Sequence, residues 1–310
     1  MNLYTHPDCL AHDPGPGHPE SPARLQAVLQ ALDDPRFAAL HRLEAPCASV
    51  EQLQRVHAAD YVGRILGASP ASGRRRLDED TLMSPGSAQA ALRAAGAVCA
   101  AVDAAMDGSA PRSFCAVRPP GHHATRDRAM GFCLFNSVAV GAAHALVEHG
   151  LERVAIVDFD VHHGNGTQDI FAAEPRVLYA SSHQSPLYPG TGAAGERGCG
   201  NIINAPLTPG TGSQTFRTTW DDVLLPRLSV FRPQLLLVSA GFDGHRLDPL
   251  AQLQLETDDY AWLSGRLAGL ATTRCAGRMV SSLEGGYHLD ALAAGVAAHV
   301  GALLAEPPFS

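Results

Sequence analysis

One stretch constrains this chain more than any other: VAIVDFDVHHGNGT, residues 154–167. It opens as a short apolar run rich in β-branched residues, the composition of a strand buried on both faces. The run then takes on Asp158 and Asp160 and ends in His162 and His163. Side chains alternate along a strand, so the spacing predicts Asp158, Asp160 and His162 on one face. Bare carboxylates at the end of a buried strand are costly unless a cation meets them. A divalent metal held by Asp160 and His162, with Asp158 set back behind them, answers that cost. For an isolated D-x-D motif, two capping acids beside a pair of solvated histidines would serve as well. The rest of the chain decides against that.

Four further apolar runs, at 114–117, 177–181, 235–239 and 279–283, read as strands. Helical patterns fall at 22–32, 84–107, 136–149, 216–231, 257–276 and 289–304, with Pro85 favourably placed in a first turn. Residues 6–22, dense in Pro, Gly and His, read as a loop. Apolar strands alternating with helices predict an α/β fold, a parallel sheet covered on both faces. With no compositional break or repeat, a single domain over residues 1–310 is expected. Each strand is followed by a polar cluster: R-P-P-G-H-H at 118–123, the acids and histidines of 158–166, Ser182 with His183, S-A-G-F-D-G at 239–244, and E-G-G-Y at 284–287. Open parallel sheets bind ligands at their carboxyl edge, so clusters that recur there predict one active site.

Composition narrows the partners. The chain is 45% hydrophobic and 17% charged, which suits an ordinary globular core. A net charge of −8 argues against a nucleic-acid partner. The one basic run, Arg74 to Arg76, is followed closely by Asp78, Glu79 and Asp80. There is no lysine among the 23 basic residues, a bias expected of a GC-rich bacterial genome. The 7 cysteines are scattered without a C-x-x-C pair, as in a reducing compartment. With no secretory pattern at the N-terminus and no apolar run of membrane length, a cytoplasmic protein without a membrane partner is expected.

The residues themselves describe a metal site with acid–base and electrophilic groups. Asp160, His162 and Asp243 can supply three ligands and leave a position open, as catalytic zinc requires. Two oxygen ligands keep Fe(II), Co(II) and Mn(II) open by ligand type. The tandem His122 and His123 can provide a base toward metal-activated water. Tyr287, on a glycine-rich turn, can present its hydroxyl to a carbonyl oxygen that is becoming an oxyanion.

R-P-P-G-H-H, D-F-D-V-H-H-G-N-G, S-A-G-F-D with D-P-L after it, and L-E-G-G-Y together resemble the histone deacetylase family. The likeness is greatest to its class II branch and the related bacterial amidohydrolases, and it runs from His18 to the C-terminal helix. It implies the arginase/deacetylase fold, one multi-stranded parallel sheet sandwiched by helices, and hydrolysis of an acylated amine. By the same resemblance, zinc is held by Asp160, His162 and Asp243. His123 is then general base and acid, oriented by Asn165, and His122, paired with Asp158, is an electrostatic partner. Tyr287 polarises the scissile carbonyl. Gly121, Phe132 and Tyr188 line the substrate channel, with Leu250 and Asp80 near its mouth. Arg24 belongs to an internal passage for acetate, and a potassium ion is implied at Asp158, Asp160, His162 and Ser181.

Asn165 stands where class I relatives often have aspartate, and Tyr188 where phenylalanine is commoner. The expected substrate is an acylated lysine peptide or protein, or a small acylated amine. The alternatives are an acetylpolyamine amidohydrolase and a silent module that only binds acyl-lysine. A di-manganese ureohydrolase is more distant, since the ligand set serves one metal. A homo-oligomer is left open.

Overall fold

The structure, a computed structural model, describes residues 1–305. Among the described residues there are ten strands: β1 (Asn2–Thr5), β2 (His41–Glu44), β3 (Arg75–Arg76), β4 (Leu82–Met83), β5 (Arg112–Cys115), β6 (Val154–Asp158), β7 (Val177–Gln184), β8 (Ile202–Leu207), β9 (Leu235–Ala240) and β10 (Met279–Leu283). Eight form a single sheet in the order β2-β1-β5-β10-β9-β6-β7-β8. Every pairing in it is parallel. The aliphatic centres of β6 and β9, Val154 to Val157 and Leu235 to Val238, are wholly buried. That is why these strands read as continuous apolar runs and not as alternating ones. Helices Ser87–Met106 and Ser137–Glu148 pack on each other and across the strands, while Pro22–Leu32, Thr257–Arg274 and Leu289–Ala305 form a second group. No described helix is long and apolar enough to cross a membrane.

The long helix Ser87–Met106 is crossed closely by another segment. At Gly96 a Cβ would sit 2.1 Å from the Pro46 carbonyl oxygen, so the 45–48 segment crosses this helix in backbone contact.

Several expectations need correction. Three sheet strands escaped the apolar pattern. β1 and β2 are four residues each, β2 is exposed throughout, and β8 carries Pro206, which an edge strand tolerates because one side of its ladder is unpaired. The expected helix at 216–231 is two helices, Ser213–Thr219 and Leu225–Phe231, joined by a π-turn at Trp220–Leu224. Pro226 has no N–H to continue an α-helical ladder, and a π-turn just upstream absorbs the mismatch. The 6–22 loop contains a short helix at Asp8–Ala11. Ser182 and His183 lie inside β7, and the loop after it carries Leu187 and Tyr188 instead.

Candidate active site

Five neighbouring strands, β5-β10-β9-β6-β7, deliver the polar clusters to one edge. The sequence could place each cluster after a strand but could not order the strands. β6 ends at Asp158, so Asp160 and His162 belong to the loop that follows, not to a strand face as the alternation predicted. The loop is folded by its own acids: the Asp160 N–H donates to Asp158 Oδ1 at 3.1 Å, and the His162 N–H donates to Asp160 Oδ1 at 2.9 Å. Such local side-chain-to-backbone bonds turn the chain and bring alternate residues together again.

Asp160, His162 and Asp243 meet at one point. His162 Nδ1 lies 3.1 Å from Asp160 Oδ1 and 3.1 Å from Asp243 Oδ2, with all three residues buried. Backbone amides fix the carboxylates from behind: Gly285 N–H donates to Asp160 Oδ2 at 2.8 Å and Val161 N–H to Asp243 Oδ1 at 2.9 Å. Only glycine fits beside them, since a Cβ on Gly285 would be 2.1 Å from Asp243 Oδ2 and one on Gly241 2.1 Å from Asp160 Oδ2. The titration behaviour is that of a seat built for positive charge. Burial, then the Asp160 charge, pushes Asp243 up to about 7. His162 is pushed up to about 10 against its burial, because its Nδ1 hydrogen-bonds both carboxylates. Two carboxylate oxygens and one imidazole nitrogen fit a borderline or harder divalent metal.

The tandem histidines differ in their partners. His122 Nδ1 is 3.0 Å from Asp158 Oδ2, which also accepts from the Tyr179 hydroxyl at 3.0 Å. Burial opposes a charge on His122, but Asp158 and Asp160 outweigh it and hold its pKa well above the ordinary value. His123 Nδ1 is 2.8 Å from Asn165 Oδ1. The Asn165 amide nitrogen faces the Met130 thioether at 3.4 Å, so the amide oxygen is the atom turned to His123. His123 Nδ1 therefore carries the proton and its Nε2 is left basic. Burial, then the charges of His122 and His162, depresses the His123 pKa well below the usual value.

Above these groups lies a cavity of about 260 Å³ lined by Asp80, His123, Gly131, Phe132, His162, Leu187, Tyr188, Leu250 and Tyr287. Phe132 packs edge-on to Tyr287, with ring centroids 5.8 Å apart, and Tyr188 edge-on to His123 at 5.2 Å. Asp80 Oδ1 accepts the Gly131 N–H at 3.1 Å and so holds the turn that presents Phe132. Gly121 is not on this wall. Its N–H donates to Glu284 Oε2 at 2.6 Å, and a Cβ there would meet the backbone of Phe135 and Ser137. The glycine that borders the channel is Gly131.

Arg24 is fully buried behind Tyr287, its guanidinium 4.9 Å from the phenol ring and bonded to the carbonyls of Gly286 and Glu284. Burial raises the Tyr287 pKa well above its ordinary value, with Arg24 opposing, so the phenol stays a proton donor. Ser181 pairs in register beside Asp158, its hydroxyl 2.9 Å from His183 Nδ1.

Sequence reasoning missed Glu284, Tyr179, Asp248, Gly131 and Leu187. Glu284 and Asp248 stand in the motifs read from the chain, but their work is to accept backbone N–H groups, which leaves no residue pattern.

A second His–Asp group, Asp103 with His144 and His149, holds two helices together. Both Nε2 atoms lie 2.7 Å from Asp103 Oδ1. Arg55 Nη1 is 3.0 Å from His144 Nδ1, and a guanidinium only donates, so the His144 Nε2 bears its proton and bonds to Asp103 rather than offering a lone pair to a metal.

Residues 18–303 match the histone deacetylase domain. The chain is 42% identical to the histone deacetylase-like amidohydrolase of Pseudomonas aeruginosa, over 87% of this chain and 73% of that protein. It is 39% identical to the polyamine deacetylase HDAC10 of Homo sapiens, over 93% of this chain and 45% of that protein. The solved HDA15 HD domain superposes with a TM-score of 0.93 at 36% identity, covering 99% of this chain and 89% of the other.

Proposed function

Because the chain belongs to the histone deacetylase family, we propose that it is a zinc-dependent hydrolase that removes acetyl or other acyl groups from acyl-lysine or similar amides. The observation that carries this reading is the meeting of His162 Nδ1 with Asp160 and Asp243 at 3.1 Å each, at the base of an aromatic-walled cavity. Asp160, His162 and Asp243 would hold the metal, with Fe(II), Co(II) or Mn(II) as candidates beside zinc. When bound there, the metal supplies Lewis-acid polarisation of the carbonyl and acidification of water. His123 Nε2 takes a proton of the attacking water and gives it to the leaving nitrogen, and the water's second proton also ends on that nitrogen, so water and amide become carboxylate and ammonium. Asn165 orients His123. His122, kept charged by Asp158, offsets the developing negative charge, and the Tyr287 hydroxyl donates to the carbonyl oxygen as it becomes an oxyanion. Phe132 and Tyr188 grip the alkyl stem, with Asp80 and Leu250 toward the mouth. Arg24 is assigned to an acetate exit, and Asp158, Asp160, His162 and Ser181 to a structural potassium ion. The reading is of a cytoplasmic enzyme of one domain, residues 1–310, that acts on neither nucleic acid nor membranes.

An acetylpolyamine amidohydrolase is the second reading, suggested by the polyamine deacetylase among the relatives. Leu250 at the cavity is uncharged, and Asp80 already accepts from Gly131 N–H and the Thr81 hydroxyl, which favours a peptide over a second cation. A silent binding module is disfavoured because the proton-transferring His123 and the hydroxyl of Tyr287 both border the cavity. The test is turnover of a fluorogenic acetyl-lysine peptide before and after chelation, with zinc, iron, cobalt and manganese restored one at a time. Activity should vanish with the metal and return with one of them. Undiminished turnover by protein shown metal-free by elemental analysis would refute the proposal.

A further inference from the structure

Tyr287 sits on a turn that is held from two sides. On one side Arg24 donates to the carbonyl oxygens of Glu284 at 2.5 Å and Gly286 at 2.6 Å. On the other, Asp248 Oδ2 accepts the N–H groups of Tyr287 at 2.7 Å and His288 at 3.3 Å. A cation grips the carbonyls of the turn and an anion grips its amides, so the turn's own dipoles are satisfied at both ends. The second oxygen of the same carboxylate, Asp248 Oδ1, accepts the Leu250 N–H at 3.0 Å. Asp248 is buried, at 7% exposure, and its own N–H donates to the His245 carbonyl at 2.8 Å. The cavity lining does not include it, and its side-chain hydrogen bonds go to the Tyr287 turn and to Leu250. Tyr287 and Leu250, the residues it anchors, both face the cavity.

We propose that Asp248 is the positioning residue for Tyr287, fixing the phenol where the carbonyl oxygen of the substrate arrives while its other oxygen sets the Leu250 wall. The inference rests on the reading that Tyr287 is the hydroxyl donor in the reaction. A hydroxyl aimed at an oxyanion acts only if it is held in place beforehand, and a displacement of about 1 Å can cost roughly 100-fold in rate. The two arms of the carboxylate make different kinetic predictions. Loss of the Tyr287 arm slows the chemistry, and loss of the Leu250 arm loosens the channel.

The test is a double-mutant cycle on hydrolysis of an acetyl-lysine peptide by the zinc-loaded enzyme, with Asp248→Ala, Tyr287→Phe and the pair. Tyr287→Phe should lower kcat roughly 100-fold or more, as loss of an oxyanion donor does. Asp248→Ala should lower kcat by roughly 30-fold and also raise KM. In the Tyr287→Phe background the rise in KM should remain, but the further loss in kcat should shrink to within about two-fold, because the group being positioned is already gone. A purely structural role would instead multiply the two losses in kcat or strip the zinc, and either result overturns the proposal. If Asp248→Ala does not fold, Asp248→Leu, close to it in size and without any acceptor for the amides that Oδ2 holds, takes its place in the same cycle. A Tyr287→Phe enzyme with unchanged kcat would refute the reading of the site itself, and the inference with it.

Discussion

Gly131→Ala separates two effects that one substitution usually confuses. Gly131 has φ +55°, and a Cβ built there would lie 2.4 Å from His123 Cδ2, 2.7 Å from Cγ and 3.0 Å from Cβ. The left-handed backbone alone costs a non-glycine residue about 1–2 kcal/mol. To restore van der Waals separation the imidazole must also shift by about 1 Å, and Cδ2 is bonded to Nε2, the atom that takes the proton. His123 cannot give way freely, because Asn165 holds its Nδ1 at 2.8 Å. Misplacement of that order corresponds to roughly 100-fold in kcat. Gly150→Ala is the control: φ is +61° and nothing lies within 4 Å of the added Cβ, so it carries the backbone strain without the steric push. Gly150→Ala should lose about 1–2 kcal/mol in denaturant titrations, and Gly131→Ala at least as much. Only Gly131→Ala should lose the rate, with its metal content unchanged. If kcat of the two variants agrees within about three-fold, the ring is not confined as argued.

Asp243→Ala should lose the metal together with the activity, since two ligands bind a divalent ion poorly; full occupancy by elemental analysis would contradict the ligand set. Asn165→Asp puts a carboxylate against His123 Nδ1 and raises the pKa of the base. The acidic limb of the rate profile should therefore move up by about 1 pH unit, and overlaying profiles would count against the pairing. Leu250→Glu should shift kcat/KM from acetyl-lysine peptide toward acetylspermidine by about five-fold, the equivalent of one partly exposed ion pair near 1 kcal/mol, and by less in high salt. A wild-type enzyme that prefers acetylspermidine from the outset would place the selecting acid elsewhere, with Glu79 or Asp80 examined first.

The sequence carried the central strands because burial on both faces leaves continuous apolar runs, as in β6 and β9. It did not carry β1, β2 and β8, whose short or polar stretches become strands only because a neighbour offers a ladder. The convergence of Asp160, His162 and Asp243 was legible because they are unusual residues just beyond buried apolar runs. The mechanism of their convergence was not: the backbone leaves the strand after Asp158, and side-chain bonds within the loop complete the turn. The channel glycine shows the same limit. Gly121 is contiguous with the tandem histidines and Gly131 is not, yet folding turns Gly131 onto the His123 ring and sends Gly121 inward against a neighbouring backbone.

The buried charges at this edge also explain why two adjacent histidines should do different work. Asp158, Asp160, Asp243 and Glu284 are all buried, and each must be answered. Glu284 takes the Gly121 and His122 N–H groups and the Ser239 hydroxyl, and burial still pushes it up to about 7. Asp158 has the Tyr179 hydroxyl and the charged His122. That leaves Asp160 and Asp243, which would share one neutral imidazole if His162 gave its Nδ1 lone pair to a metal. Two carboxylates and a neutral ring would balance a dication, whereas a monovalent ion would leave one of these two negative charges unanswered. Asp158 favours the charged form of His122, which disfavours a second cation at His123, and the partner of His123 is an amide instead of an acid. Asp158 and Asn165 thus divide the tandem pair, an acid facing one ring and a neutral amide facing the other.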